Sequence, residues 1–251
     1  MFEVSHILAP VDRSESARVA FNLSSYLAGI YGASLHWVHV VPPIPAVFRS
    51  VLFPYAGMGE DHIEFEEELL EGAEETFKGL FNGPSKGHIR SAEVVDGIVE
   101  TIGKVGPELV VVGSHGESGV RPQHVGHVTN RLLSRWVGPV LVARQFSGDS
   151  PFKNILVVTD FGPGSEQLMR TAAGIGIAAG VQITVNTVIE DPRKRDAGNL
   201  ISGGLKIDPK RLKAMGEKNA RKQMAQLMSG LEVPFAMQEA FANVKPRGKA
   251  L

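Results

Sequence analysis

The chain of 251 residues contains no cysteine, which excludes disulfides, thiolate metal sites and cysteine nucleophiles. Aromatic residues make up only 7% of it, and no apolar run approaches the ~20 residues that span a bilayer. The formal net charge is -1, so no overall field attracts the protein to nucleic acid or anionic lipid. The first residues lack the pattern of a secretory signal. These absences predict a cytoplasmic protein with no membrane segment and no nucleic-acid partner.

What the chain does contain is an internal repeat. Residues 6–12 return as residues 154–160, an offset of 148 positions (160 − 12), and the match continues without a gap through the next helix and strand. Two copies of one supersecondary unit indicate two similar domains, which we predict at residues 1–146 and 152–251. The second copy lacks a counterpart of the glycine-rich loop described below, so it is expected to be a shortened copy without a ligand.

Apolar runs of strand length alternate with helical patterns in the first copy. Their continuous rather than alternating apolar character is typical of parallel strands covered on both faces. The predicted strands are residues 6–11, 34–41, 89–95, 109–112 and 139–143, and the predicted helices include residues 16–31 and 64–81. The pattern predicts an α/β fold, a doubly wound and mostly parallel five-stranded sheet of Rossmann-like topology, with a second partial copy.

A glycine-rich loop follows the apolar run 108–112. Gly113, Gly116 and Gly126 lack a β-carbon, which lets the main chain approach an anion closely and direct its N–H groups at it. A buried strand followed by such a loop and a helix is a common way to bind phosphate. Because ligands of doubly wound sheets lie beyond the carboxyl ends of the strands, Asp12 and Gly113 are predicted to share one crevice.

The same residues have simpler interpretations. The glycine-rich loop is also typical of a tight strand-to-helix turn with no ligand, and Asp12 competes with Ser14 as a helix N-cap. His115, His124 and His127 lie close in sequence, but without a carboxylate at matching spacing they do not predict a metal site. No pattern places a nucleophile beside a base, so no catalytic residue is predicted.

In these features the chain resembles the universal stress protein family. The nucleotide motif of that family is a glycine, two residues, a second glycine, nine residues, and a glycine followed by Ser or Thr. Gly113, Gly116 and Gly126 have this spacing, and Ala9-Pro10-Val11-Asp12 is also similar to the family. The resemblance covers residues 5–144 well and residues 153–243 weakly.

The resemblance implies an ATP site, with Mg²⁺ accompanying the nucleotide. Asp12 would accept hydrogen bonds from the ribose hydroxyls or lie near the adenine, and Gly113 would let ribose and phosphates lie close. Main-chain N–H groups of the loop and the Thr129 hydroxyl would donate to the phosphates. The implied binding residues are Pro10, Val11, Asp12, Val40, Gly113, Ser114, Gly116, Gly126, His127, Val128 and Thr129. His127 departs from the motif, because an imidazole stands where the family has Ser or Thr. This change either weakens ATP binding or makes the phosphate contact sensitive to pH.

The implied function is that of a stress-response or regulatory module whose surface changes when adenine nucleotide binds. The predicted assembly is a homodimer, paired through the apolar strand 139–143. ATP hydrolysis is expected to be slow or absent, so the chain is predicted not to be an enzyme. The alternatives are an interaction or dimerisation module of the same fold that binds no nucleotide, and a weak ATP-hydrolysing enzyme.

Overall fold

The computed structural model describes residues 2–45, 47, 59–116, 125–144, 151–188, 209–229 and 238–242. The chain divides into two compact units, Glu3–Pro151 and a unit formed by Met1–Phe2 with Phe152–Leu251. The first unit contains β1 (His6–Pro10), α1 (Glu15–Tyr31), β2 (Ser34–Val41), α2 (Gly59–Leu80), β3 (Ser85–Ser91), α3 (Val94–Val105), β4 (Leu109–Gly113), α4 (His127–Arg135) and β5 (Val140–Ala143).

The sheet of the first unit has the strand order β3-β2-β1-β4-β5, and every neighbouring pair is parallel. The predicted α/β doubly wound fold is therefore confirmed. Helices cover both faces, since Trp37 of β2 meets Phe77 of α2 on one side while Leu8 and Ile98 share a core cluster on the other. The strand order reverses between β1 and β4, which opens a crevice at their carboxyl ends.

Helix α1 has the boundaries that its sequence signals predict. The Ser14 side chain accepts a hydrogen bond from the Ala17 N–H at 3.1 Å, which satisfies one of the free donors of the first turn. Gly32 ends the helix in the left-handed region at φ 65°, a conformation that glycine adopts without steric penalty. The N-cap is thus Ser14 rather than Asp12.

The predicted strand 89–95 is wrong in its position. The strand occupies Ser85–Ser91, and Val94 and Val95 begin helix α3. β3 lies at the edge of the sheet and has no fully buried residue, so it lacks the apolar run of an inner strand. The apolar signal at 89–95 comes from the end of β3 and the first turn of α3 together.

The second unit contains a smaller parallel sheet. Its elements are β6 (Asn154–Thr159), α5 (Ser165–Ala179), β7 (Gln182–Val188), α6 (Pro209–Ser229) and β8 (Gln238–Ala242), with the strand order β6-β7-β8. Asn154 pairs with Gln182, as His6 pairs with Ser34 in the first sheet, so the register repeats at the offset of 148 positions. Gly180 ends α5 at φ 67° as Gly32 ends α1.

The sequence of residues 147–151 is typical of a linker, and the proline-rich segment 42–62 is longer than an ordinary strand-to-helix connection. Both lie largely outside the described residues. The sequence of the second copy also predicts a strand at residues 235–241, which is present as Gln238–Ala242, and residues 235–237 are outside the description. Among the helices that the structure describes, none is long and apolar enough to cross a membrane.

Candidate functional site

A cavity of about 280 Å³ lies at the carboxyl ends of β1 and β4, where the strand order reverses. We call it the Asp12 cavity. Ten of the eleven predicted binding residues line it: Pro10, Val11, Asp12, Val40, Gly113, Gly116, Gly126, His127, Val128 and Thr129. Ser114 is the exception, because its side chain is fully buried behind the loop. Residues about 100 positions apart thus meet at one opening of the fold.

The Asp12 carboxylate lies against the glycine-rich loop. Its Oδ1 atom accepts a hydrogen bond from the Ser14 N–H at 2.9 Å, which turns the side chain across the end of β1. A β-carbon added to Gly116 would lie 2.9 Å from Asp12 Oδ2. The carboxylate and the bare main chain therefore face each other at the cavity, and glycine at position 116 is what allows the approach.

Packing within the protein, rather than room for a ligand, requires a glycine at position 113. A β-carbon at this position would lie 2.8 Å from the main-chain carbon of Ser16 and 2.9 Å from its carbonyl oxygen. Helix α1 thus packs directly on the end of β4. The prediction that Gly113 makes room for ribose and phosphates is corrected on this point, because the missing β-carbon faces α1.

The amino terminus of α4 points its N–H groups toward the loop. Gly126 is the N-cap and provides no side-chain hydrogen bond to the first turn, whose residues are His127, Val128 and Thr129. Such a helix end carries a partial positive charge and free donors, which suits an anion. His127 is exposed at this end, so its imidazole does not fill the cavity from within.

The Thr129 hydroxyl has a different role from the predicted one. It donates to the Gly113 carbonyl oxygen at 3.0 Å, and Thr129 is only 5% exposed. A hydroxyl has one proton to donate, so this contact uses the donor that the family resemblance assigns to a phosphate. The hydroxyl ties α4 to the end of β4, and the N–H of Thr129 is the group left for an anion.

Sequence reasoning did not identify Ser16 and His115 as parts of the site. The His115 N–H donates to Ser16 Oγ at 3.2 Å, and Ser114 Oγ shares a 2.6 Å hydrogen bond with His115 Nδ1. These contacts attach the first residues of the loop to the start of α1. No local sequence pattern indicates these hydrogen bonds, because Ser16 and His115 come from elements that only the tertiary fold brings together.

The inner wall of the cavity is apolar and also larger than predicted. Besides Val40, it includes Val38, Val94, Ile98 and Leu132. His39 lines the wall as well, donating from Nδ1 to the Val11 carbonyl oxygen at 2.9 Å. Val94 and Ile98 were missed because α3 was not predicted as a helix, and Leu132 lies on α4.

The three loop histidines do not form a metal centre in the part of the chain that the structure describes. His115 and His127 border the cavity, and His124 lies outside the described residues. No group of three or more histidine or acidic side chains among the described residues has a geometry that could hold a metal ion.

The second unit has cavities of its own, of about 430 and 500 Å³. Asp160 borders one of them, and its Oδ1 atom accepts from the Gly162 N–H at 2.8 Å, much as Asp12 accepts from Ser14. The amino terminus of α5 borders both cavities at Ser165, but this helix corresponds to α1, and no described helix of the second unit occupies the position of α4. Their larger volumes therefore do not outweigh the chemistry of the Asp12 cavity.

Comparison with known proteins agrees with this architecture. Residues 3–144 match the model of the universal stress protein family. The universal stress protein MJ0577 of Methanocaldococcus jannaschii is 28% identical over 152 residues, covering 55% of this chain and 94% of that protein. A universal stress protein from Archaeoglobus fulgidus superposes with a TM-score of 0.60 at 14% identity, over 95% of this chain and 79% of that one. PA1789 from Pseudomonas aeruginosa, described as functionally unknown, gives a TM-score of 0.56 at 13% identity, over 95% and 75%.

Proposed function

Because this chain belongs to the universal stress protein family, we propose that its first unit binds ATP in the Asp12 cavity and acts as a nucleotide-responsive stress or regulatory module. One observation carries the proposal. The Asp12 carboxylate, the bare main chain at Gly116 and Gly126, and the amino terminus of α4 border a single cavity. The carboxylate suits the ribose, the bare main chain and the α4 terminus suit the phosphates, and the apolar wall of the cavity suits the base.

The inner wall and Asp12 suit the nucleoside. Val40, Ile98 and Leu132 offer a flat apolar surface to a purine ring, and ligand sites are typically apolar with a few placed polar groups. Asp12 accepts one hydrogen bond from Ser14, and an ionised carboxylate has about four acceptor positions. Carboxylate oxygens accept several hydrogen bonds at once, so Asp12 can accept from ribose hydroxyls in addition to the partners it has within the protein.

The amino terminus of α4 suits the phosphates. The N–H groups of His127, Val128 and Thr129 are aligned with the helix dipole, which favours negative charge at this end. The glycines at 116 and 126 let an anion approach the main chain. Mg²⁺ would neutralise part of the phosphate charge. In this arrangement Thr129 contributes its N–H, since its hydroxyl is bonded to Gly113.

We propose that occupancy, rather than hydrolysis, is the output. His115 and His127 each adjoin a loop glycine, and His115 Nδ1 is engaged with Ser114, so that nitrogen is not set to activate water. A nucleotide shifts a protein between two states only if it binds one of them more tightly. Contacts from α4 and from Asp12 to one ligand supply such a difference, because they join two elements across the crevice. ATP turnover is therefore expected to be slow or absent.

Isothermal titration calorimetry with ATP and Mg²⁺ tests the proposal. Asp12→Asn is expected to weaken ATP binding about tenfold or more, since hydrogen bonds to a charged acceptor contribute about 1.5–3 kcal/mol. Gly126→Asp places a carboxylate at the α4 terminus and is expected to abolish binding. Asp160→Asn is the matched control from the second unit and should leave the affinity unchanged. Absence of both binding heat and a thermal shift with millimolar ATP would refute the proposal.

One observation favours a second function, an interaction module that binds no nucleotide. Gly113 and Thr129 are both engaged within the protein, so part of the motif has a structural use of its own. Mass spectrometry of the protein denatured directly after purification separates the two. A bound adenine nucleotide in stoichiometric amount supports the ATP site, whereas an empty protein that also fails to respond to added ATP supports the module.

We also propose that residues 152–251 form a shortened second copy of the family domain that binds no nucleotide. Its support is the repeated register and the repeated left-handed glycine after the first helix. The proposed assembly is a homodimer through β5, because β5 is an edge strand of the first sheet. Light scattering during size-exclusion chromatography measures the mass. A monomer at micromolar concentration would contradict the dimer.

A further inference from the structure

Three imidazole rings form a continuous hydrogen-bonded row across three neighbouring strands. His6 lies on β1, His36 on β2 and His88 on β3. His6 Nδ1 is 3.3 Å from His36 Nε2, and His36 Nδ1 is 3.1 Å from His88 Nε2. The rings of His36 and His88 are stacked, with centroids 5.3 Å apart and an interplanar angle of 16°. We call this row the histidine chain; no part of the proposed ATP site uses it.

The histidine chain can hold only a limited number of protons. Each of its two ring-to-ring contacts requires one N–H and one lone pair, and a neutral imidazole has one of each. Three neutral rings satisfy both contacts and leave one N–H at an end. One added proton can occupy the other end nitrogen. A second added proton forces two N–H groups to face each other at one contact, which breaks it.

The surroundings of the chain oppose positive charge. His36 is only 7% exposed. Burial, followed by His88, His6 and Lys86, lowers the pKa of His36 to about 4. Burial, then Arg90 and Lys86, also lowers the pKa of His88. Lys86 and Arg90 lie two positions on either side of His88 and so share its face of the strand.

The acidic groups near the histidine chain already have partners within the protein. Glu108 Oε2 accepts from the N–H groups of Ser5 and His6 at 3.0 and 2.8 Å, so it lies at the His6 end of the row. On α3, which packs on the face of the sheet that carries Val38 and, by alternation, His36, Glu100 pairs with Lys104 and also interacts with Arg90. On α2, which packs on the opposite face against Trp37, Glu74 pairs with Lys78. Protonation of the His88 end therefore adds charge beside two cations.

Strand β3, which carries His88 at one end of the histidine chain, is weakly anchored. β3 pairs only with β2, at the edge of the sheet, and none of its residues is fully buried. We propose that the histidine chain is a pH-sensitive switch that holds β3 on the sheet at neutral pH and releases it in mild acid. The switch does not depend on ATP binding. It can reach the Asp12 cavity, because β3 leads within a few residues into α3, whose Val94 and Ile98 line the cavity wall.

The direction of the effect follows from linkage. A histidine in a released, solvated strand titrates near 6.5, so the released state binds more protons than the closed state between about pH 6.5 and 4. The closed state is fully favoured above this pH range and becomes progressively less favoured as the pH falls through it. The lowered pKa of His36 changes the ratio of closed to released protein at pH 5 by up to about 30-fold. Partial access of water to the histidine chain reduces this change to about tenfold.

Hydrogen exchange on the full chain at pH 7 and pH 5, corrected for intrinsic rates, measures the release. The amide protection of Ser85–Ser91 is expected to fall about tenfold or more relative to that of Val140–Ala143, the opposite edge strand. In His36→Phe, which keeps a ring of similar size without titration, the pH-dependent loss of β3 protection should be clearly smaller than in the wild type, because only the lowered pKa of His88 remains. His62→Gln also removes one imidazole, from a residue that is not a member of the histidine chain, and should behave as the wild type.

A second variant keeps the test decisive if His36→Phe does not fold. His88→Gln removes only the end ring and its position beside Lys86 and Arg90, and it should reduce the pH-dependent loss of protection in β3. The proposal is overturned if the wild type shows the same ratio of β3 to β5 protection at both pH values. It is also overturned if a folded His36→Phe or His88→Gln protein retains the full wild-type loss.

Discussion

Replacement of Gly113 by alanine tests whether this glycine serves the packing of α1 or the approach of a ligand. The added β-carbon would lie 2.6 Å from Ser16 Oγ, 2.8 Å from the Ser16 main-chain carbon and 2.9 Å from its carbonyl oxygen. The hydroxyl can rotate away, but the two main-chain atoms belong to the first turn of α1. The helix must therefore move for the methyl group to fit.

The size of the effect follows from two opposing contributions. Overpacking of a tight contact costs about 1–3 kcal/mol. Alanine also reduces the entropy of the unfolded chain, which stabilises the protein by about 0.4–1 kcal/mol. We expect a net loss of about 1–2 kcal/mol in the free energy of unfolding, and a decrease in Tm of about 2–8 °C for a domain of this size.

Urea unfolding followed by circular dichroism measures this change, and Gly103→Ala provides the matched control. A β-carbon at Gly103, in α3, meets nothing within 4 Å, so alanine there should stabilise the helix by about 0.5–1 kcal/mol. The reasoning fails if Gly113→Ala is as stable as the wild type and yet binds ATP less tightly. That result would show that the glycine makes room for the ligand.

Two further substitutions test the contacts around the site and the sheet. Thr129→Val removes the hydrogen bond to the partly buried Gly113 carbonyl and should lower the free energy of unfolding in urea by about 1–2 kcal/mol. Thr129→Ser keeps the hydroxyl and should lose less; equal losses would contradict the role of the hydroxyl. Partial burial raises the pKa of Glu108, but the N–H groups of His6 and Ser5 outweigh it, so the net pKa is lowered. Its contribution to stability is then present above the unfolded-state pKa and lost as pH falls through the folded one. Glu108→Gln should be destabilised at pH 7, with the difference from the wild type shrinking as the pH falls below the ordinary range of a glutamate; a difference that stays constant would contradict the assignment.

The elements that sequence reasoning located well carry their signals locally. Strand β2 occupies the predicted residues 34–41, and α1 begins one residue before the predicted start and ends at Tyr31 as predicted. The cap at Ser14 and the left-handed Gly32 act within one turn of the chain. The error at 89–95 arose where the signal was not local, because an edge strand exposes one face and its apolar content does not mark it.

Residue types and spacings in the chain alone determined the α/β class of the fold, the repeat at 148 positions and ten of the residues that border the Asp12 cavity. Each depends on hydrophobic patterning or on glycine, whose effects extend over a few neighbours. Only the tertiary structure decided that Gly113 faces Ser16, that the Thr129 hydroxyl is bonded to Gly113, and that His6, His36 and His88 form one row. Such contacts depend on strand order and register, which arise from packing between segments far apart in sequence.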